Sequence, residues 1–206
     1  MSDKALITDL GMVIVSFTET MASIFGRYLP KENLPKDLRQ QIRIEDFGRG
    51  TVTADEFCRL CNEVLAKYGG QKLSADEIRT ACTDFGFTLV EEMADLVRKL
   101  RLQGKRVYLL TNTNVFHWEY QEDKFKLYDL FGGEENVIAS HEVGYRKPDS
   151  AIYRLAEQKF GLKPEDIIFI DDLLENVEGA RGCGWNAILH QNPTETIERV
   201  EKFIYE

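Results

Sequence analysis

Four cysteines and three histidines in 206 residues are too few and too scattered to build a disulfide framework or a His/Cys metal centre. Cys58 and Cys61 have the spacing of a redox pair, but they fall within the apolar pattern Phe57, Cys58, Leu60, Cys61, Val64, Leu65, which reads as one face of a helix. A reduced, cytoplasmic protein is therefore expected. No run reaches the roughly 18 apolar residues of a membrane span, so no membrane partner is expected. The first apolar stretch, Ala5 to Phe17, is broken by Asp9, has only Lys4 as a preceding base, and lacks a small-residue cleavage pattern, which argues against a secretory leader. Basic blocks are missing too. With 26 basic against 35 acidic residues the net charge is −9, and nothing tracks a phosphate backbone, so nucleic acid is not an expected partner. Internal repeats and low-complexity tracts are also absent.

What remains is a chain that is 43% apolar, long for one ordinary domain and short for two, as a core domain with an insertion would be. Short β-branched or leucine-rich runs predict strands at Lys4 to Thr8, Arg106 to Leu110, Asn136 to Ala139, Ile167 to Ile170 and Asn186 to Leu189. Helical patterns separate the later ones. A stripe of Val90, Met93, Ala94, Leu96, Val97 and Leu100 ends at Gly104; another helix runs from Ala151 to Phe160 before Gly161; Asn192-Pro193 opens a last one. Alternation of this kind predicts an α/β fold with a doubly wound parallel sheet. Between Ser16 and Thr88 the alternation stops. These roughly 70 residues are too many for a loop, and they carry two capping boxes, Thr53-Ala-Asp-Glu56 and Ser74-Ala-Asp-Glu77. The expected organisation is a core of residues 1–15 and 89–206 with an all-helical cap, 16–88, inserted after the first strand and overhanging the sheet's carboxyl edge.

Short polar signatures close four of the apolar stretches or open the helices after them. In a doubly wound sheet, residues just past the strand ends converge on one crevice. Asp9 follows Ala-Leu-Ile-Thr and can attack phosphorus as a nucleophile. Thr111-Asn112-Thr113-Asn114 follows Val-Tyr-Leu-Leu and offers a hydroxyl and amides to phosphoryl oxygens. Lys147, ahead of Pro148, can neutralise phosphate and carboxylate charge. Asp171-Asp172 follows Ile-Ile-Phe-Ile, with Asn176 five positions after the first, and supplies oxygen ligands of the type Mg²⁺ takes.

These segments resemble the four motifs of the haloacid dehalogenase-like (HAD) hydrolases: Thr-Asp9-Leu-Gly-Met-Val, Leu-Thr111-Asn-Thr-Asn, Gly-Tyr-Arg-Lys147-Pro-Asp and Ile-Asp171-Asp172-Leu-Leu-Glu-Asn176-Val-Glu-Gly-Ala. Within that superfamily they are most similar to the bacterial α-D-glucose-1-phosphate phosphatase type with its small helical cap. The resemblance implies a Rossmann-like core and a Mg²⁺-dependent phosphomonoester hydrolase. It makes Asp9 both nucleophile and metal ligand, with the Gly11 backbone carbonyl and Asp172, helped by Asp171, completing the ligands. Thr111, Asn112, Thr113 and Lys147 are implied for the phosphate.

The sequence departs from the motif at position 11, where HAD phosphatases usually carry the aspartate that protonates the leaving group. Glycine there removes a device typically worth about 10²–10⁴-fold. His117 and Glu142 lie near the motifs in sequence and are weighed as substitutes. Met12 and Val13 likewise replace the common Gly and Thr. Phe47, Arg49, Trp118 and Phe85-Gly-Phe87 are candidates for shaping the substrate pocket, with plain packing as the alternative for each.

The expected activity is hydrolysis of a small phosphorylated metabolite, a sugar phosphate by resemblance, through an aspartyl-phosphate, by a monomer or homodimer. The competing expectation is a phosphate- or phosphosugar-binding relative that has lost turnover through Gly11. A dehalogenase needs no metal and leaves Asp171-Asp172 without a purpose. A receiver domain has its acidic pair before the phosphorylated aspartate, the reverse of the order here.

Overall fold

The computed structural model describes residues 4–29 and 33–206. Five parallel strands form the central sheet: β1 (Ala5–Thr8), β4 (Arg106–Thr111), β5 (Val137–Ala139), β6 (Ile167–Asp171) and β7 (Asn186–Leu189), in the spatial order β5-β4-β1-β6-β7. All five expected strands are present, within a residue of the expected ends.

Their continuous apolar character follows from burial on both faces. Alternate residues separate to opposite sides: Leu6, Leu109, Ile168 and Ile170 join one apolar cluster, while Ala5, Ile7, Leu110, Ile167 and Phe169 join the other. The first cluster is covered by α6 (Glu91–Leu102), α7 (Val115–Phe125), α8 (Leu127–Phe131) and α12 (Pro193–Tyr205). The second is covered by α10 (Ser150–Phe160) and α11 (Leu174–Gly182). A four-residue helix, α9 (Ser140–Val143), follows β5 directly. Register aligns the strand ends: Thr8 pairs with Leu109 and Ile170, so Asp9 stands level with Leu110 and Asp171. The Asp9 amide extends the ladder by one bond to the Ile170 carbonyl, 2.8 Å.

Between β2 (Val15–Ser16) and β3 (Thr88–Leu89) the described chain is helical: α1 (Met21–Phe25), α2 (Leu38–Gln41), α3 (Ile44–Gly48), α4 (Ala54–Lys67) and α5 (Ala75–Thr83). Thr53 and Ser74 cap α4 and α5 as expected. Only the Ser74 box closes in both directions, because Glu56 instead receives the Arg43 guanidinium at 3.2 Å. Cys58 and Cys61 face the interior of α4, and all four cysteines are buried free thiols.

The sequence gives no signal for β2 and β3, since two-residue strands have no periodicity to detect. Their antiparallel pairing, Val15 to Leu89 and Ser16 to Thr88, holds the two ends of the insertion side by side, and the Ser16 and Thr88 hydroxyls bond at 2.7 Å.

The insertion shares an apolar cluster with the sheet. Phe47 of α3 stacks on Phe57 of α4 with centroids 4.1 Å apart, and both meet Phe116 of α7 edge-on. Polar contacts reinforce this: Arg146 pairs with Glu45 at 2.8 Å, and Arg49 with Asp149 at 2.9 Å. No helix among the described residues is long and apolar enough to cross a membrane.

The insertion backbone runs close against the core at Gly50. At φ +69° its Cβ would lie 2.0 Å from the His141 carbonyl oxygen, whereas Gly104, at φ +71°, has nothing within 4 Å. Gly50→Ala is expected to cost about 2–5 kcal/mol, combining left-handed strain with overpacking, and Gly104→Ala only about 1–2 kcal/mol from strain. Urea denaturation of the two variants checks this; equal losses would show that the contact is not constraining.

Candidate active site

The carboxyl ends of β1, β4, β5 and β6 open into a cavity of about 370 Å³ beneath the insertion. Lys147 organises its floor. The side chain is fully buried, and Nζ donates to Asp9 Oδ1 at 2.6 Å and Asp171 Oδ2 at 2.7 Å. An ammonium has three hydrogens, so one donor remains for a ligand. The lysine is aimed by its backbone. Its amide donates to Asn112 Oδ1 (2.9 Å) while Asn112 Nδ2 donates to its carbonyl (2.8 Å), and the Lys147-Pro148 peptide is cis.

Asp171, also fully buried, accepts at both oxygens: Oδ1 from the Leu173 amide and Asn176 Nδ2, each 2.9 Å, and Oδ2 from Lys147. Asp9 differs. Its Oδ2 has no hydrogen-bond partner among the described residues, leaving that oxygen open to the cavity that Asp9 lines.

Burial is the largest influence on Asp9 and raises its pKa to about 7; Lys147 opposes this, and Asp171 and Asp172 add to it. Burial likewise raises half-buried Asp172, with the Asp171 charge next in effect. For Lys147, burial alone favours the neutral amine, but Asp9 and Asp171 together outweigh it and the pKa rises.

Asp9, Asp171 and Asp172 each place a carboxylate oxygen within 4.8 Å of the others, with a single lysine among them. This is a hard, all-oxygen donor set with an excess of negative charge, suited to Mg²⁺. Beside it the Asn176 Oδ1 is a buried acceptor with no donor, as a water carried by such a cation would supply.

The structure brings Asp9, Gly11, Thr111, Asn112, Thr113, Lys147 and Asp172 together along the cavity wall, with Asp171 directly behind. The Thr111 hydroxyl, at the end of β4, has no partner among the described residues, whereas the Asn112 side chain is committed to the Lys147 backbone. Asn114 caps α7 by accepting from the His117 amide. Met12 occupies φ +56°, the left-handed region that accounts for a glycine being common there in the motif.

Between pocket and packing roles, the structure divides the candidates. Phe85 and Phe87 line the cavity, but Phe47 is used in docking the insertion, Arg49 is paired with Asp149, and Trp118 packs on Tyr128. Of the two acid/base candidates, His117 lines the cavity and Glu142 does not. Burial pushes the His117 imidazole down to about 4, with the Cys82 backbone acting the other way, so the ring is neutral near pH 7 and has no proton to spare as an acid.

Ser140 was passed over in sequence. Its hydroxyl accepts from the Thr113 amide at 3.0 Å and lies 2.6 Å from the Gly48 carbonyl, joining the loop after β4 to the insertion. It ends the apolar run Val-Ile-Ala just as Asp9 and Thr111 end theirs, which is the signal that could have found it.

The haloacid dehalogenase-like hydrolase family profile matches residues 29–184, a span holding Thr111, Lys147, Asp171 and Asp172. The chain belongs to the HAD-like hydrolases. This HAD-like hydrolase is 28% identical to the sesquiterpene phosphatase astK of Aspergillus oryzae, over 88% of this chain and 86% of that protein. It is 30% identical to the drimenol cyclase drtB of Aspergillus calidoustus over 93% of its own length, but spans only 35% of that larger protein. Among solved structures, a HAD family enzyme from Bacteroides thetaiotaomicron in complex with magnesium superposes with a TM-score of 0.75 at 25% identity, covering 93% of this chain and 94% of that one.

A raised carboxylate pKa is a stability cost at neutral pH. Folded Asp9 holds its proton up to about pH 7 while the unfolded chain releases it near 3.8, so between these values the folded state binds more protons and loses stability as pH rises. In chelator, Asp9→Asn of this HAD-like hydrolase is expected to be more stable than the parent at pH 8, by on the order of 3 kcal/mol, with the gain vanishing toward pH 4. Urea unfolding across that range measures it. A variant less stable than the parent at pH 8 would contradict the electrostatics described.

Proposed function

We propose that this HAD-like hydrolase is a Mg²⁺-dependent phosphatase that hydrolyses a small phosphorylated metabolite through an aspartyl-phosphate on Asp9. The observation that carries the reading is the Asp9 carboxylate, with one oxygen held by Lys147 and the other without a partner, beside an acidic cluster suited to a divalent cation. The phosphatase and magnesium descriptions of similar proteins support it.

Asp172 and the Asp9 oxygen not used for attack would hold the cation, with Asp171 behind them and the Gly11 carbonyl adding a contact that needs no side chain. When bound, Mg²⁺ neutralises negative charge on the phosphoryl group and the carboxylates. Asp9 Oδ2 attacks phosphorus, the P–O bond to the leaving alcohol breaks, and the alkoxide takes its proton from water because position 11 has none to give. Water then attacks the acyl phosphate, releasing inorganic phosphate and restoring the carboxylate. The third Lys147 hydrogen and the Thr111 hydroxyl would bond phosphoryl oxygens, while the Thr113 amide, committed to Ser140, would steady the loop that carries them. In this reading residues 16–88 act as a cap that closes over the cavity and bounds substrate size, and residues 1–15 and 89–206 form the catalytic core.

Phosphate release from a broad metabolite panel is expected with Mg²⁺ and is expected to be lost in chelator. Asp9→Asn is expected to reduce turnover by at least about 10³-fold, as loss of a nucleophile does; retained turnover would remove Asp9 from that role.

Gly11 favours a second reading, a phosphate-binding protein without efficient turnover. The two separate on one substitution. A Cβ at position 11 meets only Phe17 Cε1 at 3.5 Å and Asp9 Oδ2 at 3.9 Å, which are ordinary contacts, so Gly11→Asp is sterically accommodated. A rise in kcat of roughly 10–10³-fold toward poor leaving groups marks a weakened enzyme. No rise, together with tight phosphate binding and no parent turnover, marks a binder.

A further inference from the structure

The walls of the cavity differ from its floor. Opposite Asp9, Phe17 meets Phe85 and Phe87 edge-on, with centroids 6.4 and 6.1 Å apart, and Phe85 and Phe87 stack at 5.5 Å. The His117 ring abuts both at 4.7 and 5.5 Å, with Nε2 sealed from solvent and without a partner. The neutral imidazole thus completes an aromatic wall and carries no charge into it. At the cavity edge Glu45 pairs with Arg146 at 2.8 Å and Glu19 with Arg27 at 3.3 Å, while exposed Arg39 has no ion pair among the described residues and stands at the mouth rather than in the aromatic wall.

Besides the sealed His117 Nε2, one polar side chain interrupts the wall. Gln121 lies one helical turn beyond His117 on α7, is 5% exposed, lines the cavity, and has no side-chain hydrogen bond among the described residues. Its amide is not sealed and so opens to the cavity without a protein partner, free to bond a ligand group. A sugar phosphate, the substrate type suggested by the motifs, would set several hydroxyls against phenyl rings that cannot bond them.

We propose that the preferred substrate is the phosphomonoester of a ring-sized, largely apolar alcohol bearing one hydrogen-bonding substituent, its skeleton held by Phe17, Phe85, Phe87 and His117 and its substituent by Gln121. The inference rests on the phosphatase reading and names the substrate class of that site.

The test compares kcat/KM for phosphate release, with Mg²⁺, from cyclohexylmethyl phosphate, 4-hydroxycyclohexylmethyl phosphate, glucose 6-phosphate and glycerol 3-phosphate. All four expel a primary alkoxide, so leaving-group ability is matched. The cyclohexylmethyl ester is expected to exceed both polyhydroxylated esters by about tenfold or more, and the ring hydroxyl to add roughly 2–10-fold. In Gln121→Leu the ratio between the two cyclohexyl esters is expected to fall to about one or below. Sugar phosphates hydrolysed equally well or better by the parent protein would overturn the proposal while leaving the phosphatase reading standing. An unchanged ratio in Gln121→Leu, or no gain from the hydroxyl in the parent, would remove Gln121 from substrate recognition and overturn the proposal as stated. No release from any of the four or from 4-nitrophenyl phosphate, whose leaving group needs no acid, would remove the phosphatase reading and this proposal with it.

Discussion

A lysine with no solvent exposure, clamped between two buried carboxylates, is the constraint on which the rest of the site depends. Lys147 is reached from a loop, Asp9 from β1 and Asp171 from β6, so one ammonium joins three elements far apart in the chain. Removing Lys147 would leave two buried carboxylates without their shared cation, which costs several kcal/mol, whereas neutralising Asp9 leaves the lysine paired with Asp171. The sheet supplies the precision: β1 is central, bonded to β4 on one side and β6 on the other, and its register sets Asp9 level with Asp171. Asn112, at the end of β4, then fixes the lysine backbone from the third direction. The arrangement does not reach neutrality, since Asp172 adds further negative charge at the mouth of the cluster. A site built this way is completed by binding, and the excess charge that destabilises the empty protein is what draws a cation.

The insertion is tied to this centre more closely than an appended lid needs to be. Ser140 touches both the Gly48 carbonyl of α3 and the Thr113 amide beside the phosphate-facing loop, and Glu45 pairs with Arg146, next to Lys147 in sequence. Movement of α3 is therefore felt at two of the loops that form the floor. The aromatic contact of Phe47 and Phe57 with Phe116 fixes the start of α7, the helix that carries His117 and Gln121 into the cavity. Substrate-facing walls and catalytic floor are thus coupled through packed side chains and a few directed hydrogen bonds.

The parallel sheet was legible because strands buried on both faces read as unbroken apolar runs, and the acidic and basic residues ending those runs could be placed on one edge by topology alone. Other features depended on partners distant in sequence. Nothing local shows that the Asn112 amide grips the Lys147 backbone, or that Glu56 leaves its capping box for Arg43. The hinge ladder of Ser16 and Thr88 is too short for periodicity, and the contact joins residues 72 apart. Aromatic residues in the insertion could be recognised as large and apolar, but whether a ring packs in a docking seam like Phe47 or faces a cavity like Phe87 depends on helix orientation. Ser140 was legible in principle and missed because a serine after an apolar run has so many unremarkable uses.

Gly11 links the floor to the walls. A carboxylate there would sit near the free Asp9 oxygen, whose pKa burial and neighbouring charge already raise, and would drive the two further toward sharing a proton. Glycine avoids that repulsion, keeping Asp9 easier to ionise for the nucleophilic role proposed for it, and it adds no further charge beside the Phe17 ring. The cost falls on the leaving group, which must depart without a positioned proton. Rate lost at protonation can be recovered only through binding that is stronger in the transition state than in the ground state. In the proposed reaction, an aromatic wall beside the phosphoryl group lowers the local polarity and strengthens the interaction of Lys147 with the charge developing there, while water still enters for protonation and hydrolysis. The missing acid and the aromatic wall are, in the proposed reaction, two parts of one chemical solution, in which electrostatics on the floor carry the work that proton transfer performs elsewhere.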